Sequence, residues 1–336
     1  MNTIAKIIAG VAIAMSVAPQ AARANLALTT AGINDGMSLQ TAVEFSSGST
    51  NWGVLGLTVN AGNIVAFDLI NGTNYVFPDA NNQTLSSALY APTGFSSNGQ
   101  YATANGVAYG IDGGLLTAFN ANGTVNHQLV TSLTSSSSAG VVALNNGNLL
   151  MRTNTGLLVS VNPATNSYTV LDSAFPDGIA GISLSASENK IYAASTTGLT
   201  VIDASTGAEL INYALPSGTS GYYPYAIGVS APILTGALAD SVIITGLSGQ
   251  VIDLNLSTGQ STVLANGGLQ IAYITQDPTN GSYLIGGSNN IYRLTYSSTT
   301  PAPEPGGISV FLLAIALLAA AKKFTSGASR GSFGRL

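Results

Sequence analysis

The chain has 336 residues, 46% hydrophobic and only 7% charged, with a formal net charge of −5 and no cysteine. The missing cysteine excludes disulfides, thiolate metal sites and cysteine nucleophiles, and the apolar content allows a sizeable buried core. Residues 25–305 carry three bases against fourteen acids. Such a body has no electrostatic footprint for nucleic acid and is repelled by anionic lipid.

In chain order, residues 1–24 come first, with Lys6 ahead of an apolar stretch from Ile7 to Ala18. Ala22-Arg23-Ala24 then supplies a small-x-small cleavage site, so the segment has the layout of a secretory signal peptide read by signal peptidase and the Sec machinery. The alternative is a buried N-terminal helix.

Residues 25–299 are repetitive. The segments 113–130, 155–172, 197–214 and 248–265 share one plan. Each is a turn, a strand of about five residues, Asp or Asn, a Ser-Thr-Gly type of turn and a second strand. Residues 62–77 fit the same plan, and 290–296 begin it. The apolar residues ending the first strand are Phe67, Phe119, Val161, Ile202, Leu254 and Leu294, at spacings of 52, 42, 41, 52 and 40. A period near 40 with two insertions predicts the four-stranded blades of a β-propeller. The count is six blades, with seven as the alternative, and Leu26–Thr30 is the strand expected to complete the last one. A parallel β-helix is the rival fold, but its rungs would recur at shorter intervals. The repeats resemble secreted propellers of the NHL, SMP-30 and YVTN-repeat type.

From Thr300 the chain reads TPAPEPGGISVFLLAIALLAAAKK. Three prolines enforce an extended lead-in, and residues 306–321 form an uncharged apolar stretch, slightly under the usual spanning length of about 20 residues, that reads as a membrane helix. Lys322 and Lys323 stop it, and residues 324–336 make a basic tail on the cytoplasmic side. Pro303-Glu304-Pro305, the helix and the basic residues, in that order over 300–323, resemble the PEP-CTERM sorting signal of Gram-negative bacteria. That resemblance implies an exosortase-type processing partner, with the protein tethered to the membrane and then released to the cell surface or extracellular matrix.

Few residues carry chemistry. His127, the sole histidine, falls in a predicted outer strand, where a surface role outweighs metal binding. Asp112 and Asp177, with Asn154 and Asn289 nearby, share one predicted face and could hold Ca²⁺; ordinary Asx turns are the plainer reading. Asp68, Asn162, Asp203 and Asn255 recur at one repeat position and read as turn formers. Tyr222, Tyr223 and Tyr225 cluster in one loop, where they could stack on sugar rings or a protein partner, or simply pack between blades with Trp52. No catalytic motif is matched and no cofactor beyond Ca²⁺ is implied. The resulting expectation is an exported, non-enzymatic surface propeller that binds polysaccharide or protein. The alternative is a secreted hydrolase or lactonase with a divalent metal at the central channel. A quinone-dependent dehydrogenase is disfavoured by the scarcity of Arg, Lys and Trp.

Overall fold

The computed structural model describes residues 25–45, 54–68, 73–85, 89–92, 100–112, 114–134, 140–173, 175, 179–195, 197–215, 227–247, 249–267, 273–287 and 290–296. These residues form six antiparallel sheets, each beginning with a strand on a shared central axis. The chain is a six-bladed β-propeller.

Blade one runs outward through Val54–Asn60, Asn63–Asp68, Thr73–Pro78 and Leu89–Pro92. Blade two comprises Ala102–Ala104, Val107–Asp112, Leu115–Phe119 and Val125–Leu129. Val141–Ala143, Leu149–Arg152, Leu158–Asn162 and Ser167–Asp172 make blade three. Blade four is Ile179–Leu184, Lys190–Ser195, Gly198–Asp203 and Glu209–Ala214. In blade five, Gly228–Val229, Ser241–Leu247, Gln250–Asn255 and Ser261–Asn266 follow in order. Blade six takes Ile274–Gln276, Tyr283–Gly286 and Asn290–Tyr296, and its outer strand is the N-terminal Met37–Phe45.

The repeat register needs one correction, in blade one. Phe67 lies on a second strand, whereas Phe119 lies on a third. The residue equivalent to Phe119 is Phe77: Phe77 opposes Ile64 as Phe119 opposes Ala108, each partner being second in its own strand. From Phe77 to Phe119 is 42 residues, so one of the two apparent insertions disappears. Asp68 accordingly ends a second strand and is not equivalent to Asn162, Asp203 and Asn255.

Ring closure also departs from expectation. Met37–Phe45, not Leu26–Thr30, pairs antiparallel with Asn290–Tyr296, with Leu39 opposite Leu294. Ala27–Leu28 instead adds a short fifth strand to blade five, opposite Asn266 and Ala265. The physical reason is length and pattern: a nine-residue strand burying Met37, Ala42, Val43 and Phe45 can match a seven-residue partner, and a two-residue strand cannot. Gln83–Leu85 of blade one then pairs in parallel with the end of Met37–Phe45. The first and last blades are thereby joined through backbone hydrogen bonds.

Each blade is apolar on both faces, so the core is six separate layers between blades. Phe45, Tyr75 and Phe77 fill the layer between blades six and one, with ring centroids 5.9–6.1 Å apart. Between blades one and two, Tyr101 stacks on Phe119 at 5.3 Å and donates a 2.8 Å hydrogen bond to Asn74 Oδ1. This ring fits because Gly110 lies beneath it: a Cβ there would come within 2.2 Å of Tyr101 Cε1.

Candidate functional site

The six innermost strands enclose a cavity of about 470 Å³. Its lower rim carries the turns between first and second strands, including Asn145, Ser185, Glu188, Gln276 and Pro278. Its wall alternates hydroxyl and amide groups, Thr58, Thr103, Gln100, Ser183, Ser230 and Thr275, with small apolar residues such as Val141, Val229 and Ile274. The pattern follows from the fold. In a narrow ring of short strands, residues pointing at the axis must be small, and hydroxyls satisfy one another there. Thr58 and Thr103 hydroxyls lie 3.0 Å apart, and Ser183 Oγ donates to the Ser230 carbonyl at 2.7 Å.

Towards the upper face, which carries the turns between second and third strands, the strands converge. A Cβ on Gly181 would lie 2.3 Å from the Ile227 carbonyl oxygen. Gln100, from blade two, reaches to blade four and accepts from Ile182 N–H at 3.2 Å through its Oε1. Glu188 is the one carboxylate among the described lining residues, and its carboxylate accepts from the Asn145 backbone N–H.

A second hollow of about 550 Å³ lies between blades four and five and shares Ser185 and Ala186 with the cavity rim. Tyr192, Tyr213, Ile211, Leu234, Lys190 and Asp240 line it. Tyr213 Oη donates to the Leu256 carbonyl at 2.5 Å, which fixes the ring at the hollow's wall. Burial raises the phenol pKa of both tyrosines, so each keeps its proton.

Asp112 ends the second strand of blade two on the upper face, and it is not among the residues lining the cavity. It is 1% exposed, and neither carboxylate oxygen has a hydrogen-bond partner among the described residues. Burial pushes its pKa up to about 7. Asn154 is exposed at the corresponding turn of blade three. Asp177, Asn289, Trp52 and the three tyrosines 222, 223 and 225 lie outside the described residues, as do the signal segment and the sorting segment with its apolar stretch 306–321. Among the described residues no helix is long and apolar enough to cross a membrane, and no three His, Cys, Asp or Glu side chains converge as a metal centre.

His127 is exposed on the outer strand of blade two, where the sequence pattern places it. Asn162, Asp203 and Asn255 are turn formers, each side-chain oxygen accepting from backbone N–H groups two and three residues on, at 2.9–3.2 Å. Hydrogen bonds from the Ser205 hydroxyl and the Thr206 and Ser205 backbone hold Asp203 down at about 2.

Two carboxylate groupings escape sequence reasoning. Arg293, 5% exposed, donates to Asp277 at 2.7 Å, to Asn81 at 2.8 Å, and to Asp79. It joins blade six to the turn after blade one's third strand. Burial alone would raise Asp277, but hydrogen bonds from Thr279 and Arg293 outweigh it and hold the group at about 2. The second grouping is Asp253 with Asp35. Burial pushes Asp253 up to about 6, against a hydrogen bond from Ser241 and with the help of the Asp35 charge.

No protein-family model matches the chain, and no curated protein matches it in sequence. Solved structures do. A gluconolactonase from Xanthomonas campestris matches with a TM-score of 0.61 over 84% of this chain and 99% of its own, at 15% identity. A streptogramin B lyase matches at 0.50, covering 78% of this chain and 98% of that one, with 14% identity. The extracellular domain of a hybrid two-component system of B. thetaiotaomicron gives 0.51 over 79% of this chain, at 9% identity. This chain spans 43% of that last protein. At these identities the likeness is one of fold.

Proposed function

We propose that the protein is an exported, non-enzymatic propeller that binds a neutral polysaccharide at its lower face. The observation that carries this reading is that the partly hydroxyl-lined cavity adjoins, at Ser185 and Ala186, the hollow walled by Tyr213. Uncharged hydroxyl and amide groups match the donors and acceptors of sugars, and the half-buried ring of Tyr213 with exposed Ile211 and Leu234 offers apolar area for a pyranose face. Export rests on the signal layout ending at Ala24. Sorting by an exosortase-type enzyme rests on Pro303-Glu304-Pro305 and the Lys322-Lys323 stop. Thr275→Trp, which fills the cavity, is expected to weaken binding of neutral glycans in a titration at least tenfold. Unchanged affinity, or no glycan bound by the unaltered chain, would overturn the reading.

A second reading, hydrolysis of a lactone with a divalent metal, is favoured by Asp112. A buried carboxylate with both oxygens unpartnered among the described residues calls for an explanation, and a cation shared with Asp177 would supply one. Two of the structures matched above are, by name, a gluconolactonase and a streptogramin B lyase. Metal-dependent lactone turnover that vanishes in Asp112→Asn would favour this reading over the first.

A further inference from the structure

One repeat position marks where the inner strands meet most closely. Thr103 pairs with Ala108 and so reaches Phe119, and Ala143 reaches Val161 through Leu149 in the same way. These ladders make Gln100 of blade two the equivalent of Gly140 of blade three, each three residues earlier. Gly181 of blade four and Gly228 of blade five hold the same place, opposite Ala194 and Thr245. The glycines are needed because each abuts the next blade. A Cβ on Gly228 would lie 2.4 Å from Ile274 N, as one on Gly181 would meet Ile227.

Blade two breaks this pattern with a long polar side chain. Gln100 has room because Gly140 of the next blade offers no side chain. It passes over Gly140, and its Oε1 accepts from Ile182 N–H of blade four at 3.2 Å. A Cβ on Gly140 would lie 3.0 Å from that Oε1 and 2.8 Å from Ile182 Cγ1. Gln100 is 6% exposed and lines the central cavity. Its backbone donor fixes which end of the amide is oxygen, so the other end is the NH₂ group. Among the described residues that Nε2 meets no acceptor. A buried amide donor left over in a cavity points to a ligand acceptor there.

We propose that the cavity is a blind socket for the terminal residue of a neutral glycan, with Gln100 Nε2 donating to one of that residue's hydroxyl groups. The proposal rests on the glycan-binding reading above. A chain cannot thread a cavity whose described strands converge towards the upper face, so it enters by its end. At about 470 Å³ the cavity is near the small end of ordinary ligand pockets, roughly 300–1,000 Å³, which suits a chain end and not a doubled-back length of chain. The residues that follow leave across Ser185 and Ala186, where the cavity adjoins the hollow of Tyr213, Ile211 and Leu234. Glu188 lies on the lower rim, so the deep end offers Gln100 with no charged side chain among the described lining residues. That end therefore selects for hydroxyl groups and against ionised ones.

The test is isothermal titration of the full chain with linear neutral glucans, mannans and galactans, each in a short and a long fraction. End binding predicts the same number of protein molecules per glycan chain in both fractions of the polymer that binds. A number that rises with chain length means that internal segments bind, which overturns the socket and leaves glycan binding standing. Gln100→Glu keeps an oxygen for the Ile182 N–H and removes the amide donor. Its affinity for the short fraction is expected to fall about tenfold, the effect of one lost hydrogen bond in a buried site. Unchanged affinity in a folded Gln100→Glu overturns the role of Gln100. Should that variant fail to fold, the length dependence in the unaltered chain decides alone. If the unaltered chain binds none of these polymers, the glycan reading itself falls, and the socket with it.

Discussion

Blades six and one meet in a seam built differently from the junction of blades three and four. At the seam, an N-terminal strand supplies the outer edge, a blade-one strand covers that edge, and Arg293 of blade six binds Asp277 of its own blade and Asp79 of blade one. Between blades three and four there is an apolar layer of Leu150, Leu158, Phe175, Ile182 and Ile202, with no described ion pair. Their outer strands are exposed along nearly their whole length, including Tyr168, Val170, Leu210 and Ile211. Interior junctions are made by residues close in sequence, so apolar layers suffice. The seam must bring together segments more than 200 residues apart, against a larger loop-closure entropy, and it carries directional polar contacts as well.

The sharpest way to break the comparison is Arg293→Ala. It leaves Asp79 and Asp277 buried without their cation, and removing one partner of such a cluster costs about 3–5 kcal/mol. Urea unfolding is expected to show that loss, and Arg293→Lys is expected to restore little of it, because a point charge cannot reach Asp79, Asp277, Asn81 and Ser282 as the planar fork does. A loss below about 1 kcal/mol would mean that the seam is held by its strands alone.

The seam is also where the sequence was least legible. Blades three to five announce themselves through Asx turns at Asn162, Asp203 and Asn255, because those side chains bond only to their own turn. Blade one reads one strand out of register because Asp68, which ends its second strand, imitates the Asp or Asn that ends a third strand elsewhere. Met37–Phe45 follows none of the repeat's turn chemistry, so nothing local marks it as the closing strand. Arg293 and Asp79 are 214 residues apart, a pairing that periodicity cannot show. A central channel follows from the propeller repeat, but the hydroxyl and amide groups that face it emerge only once the inner strands are in register.

Gly110→Ala tests an interior layer by overpacking. The new methyl would meet Tyr101, whose hydroxyl is tied to Asn74 and whose ring is tied to Phe119, so little relief is available. A loss of about 1–3 kcal/mol is expected in denaturant unfolding. A smaller value would show that interior layers yield more easily than the seam.

Asp112→Asn should act in the opposite direction, and with pH. A carboxyl whose folded pKa is raised to about 7 binds its proton more tightly in the folded state than in the unfolded chain. Its contribution is fully present below the ordinary value near 4 and is lost as pH rises through 7. The amide cannot ionise, so the variant is expected to gain about 1–3 kcal/mol at pH 8 and nothing at pH 4. Destabilisation at both pH values would instead mean that the carboxylate holds a cation or a water that the amide cannot.

The smallest expected effect lies on the bare edge of blade four. Leu210 is 48% exposed on an outer strand with no described strand beyond it. Leu210→Lys removes exposed apolar surface and buries no charge, so stability should change by no more than about 0.5 kcal/mol. Association is a different matter. An apolar edge with free N–H and C=O groups is a template for another strand, and an inserted lysine blocks that pairing. Light scattering at high concentration is therefore expected to fall in Leu210→Lys while the unfolding midpoint stays in place. An equally charged residue on blade five's outer strand, whose edge Ala27–Leu28 already covers, should leave scattering unchanged. If both substitutions acted alike, net charge and not edge pairing would govern association, and the exposed strands of blades three and four would carry no special liability.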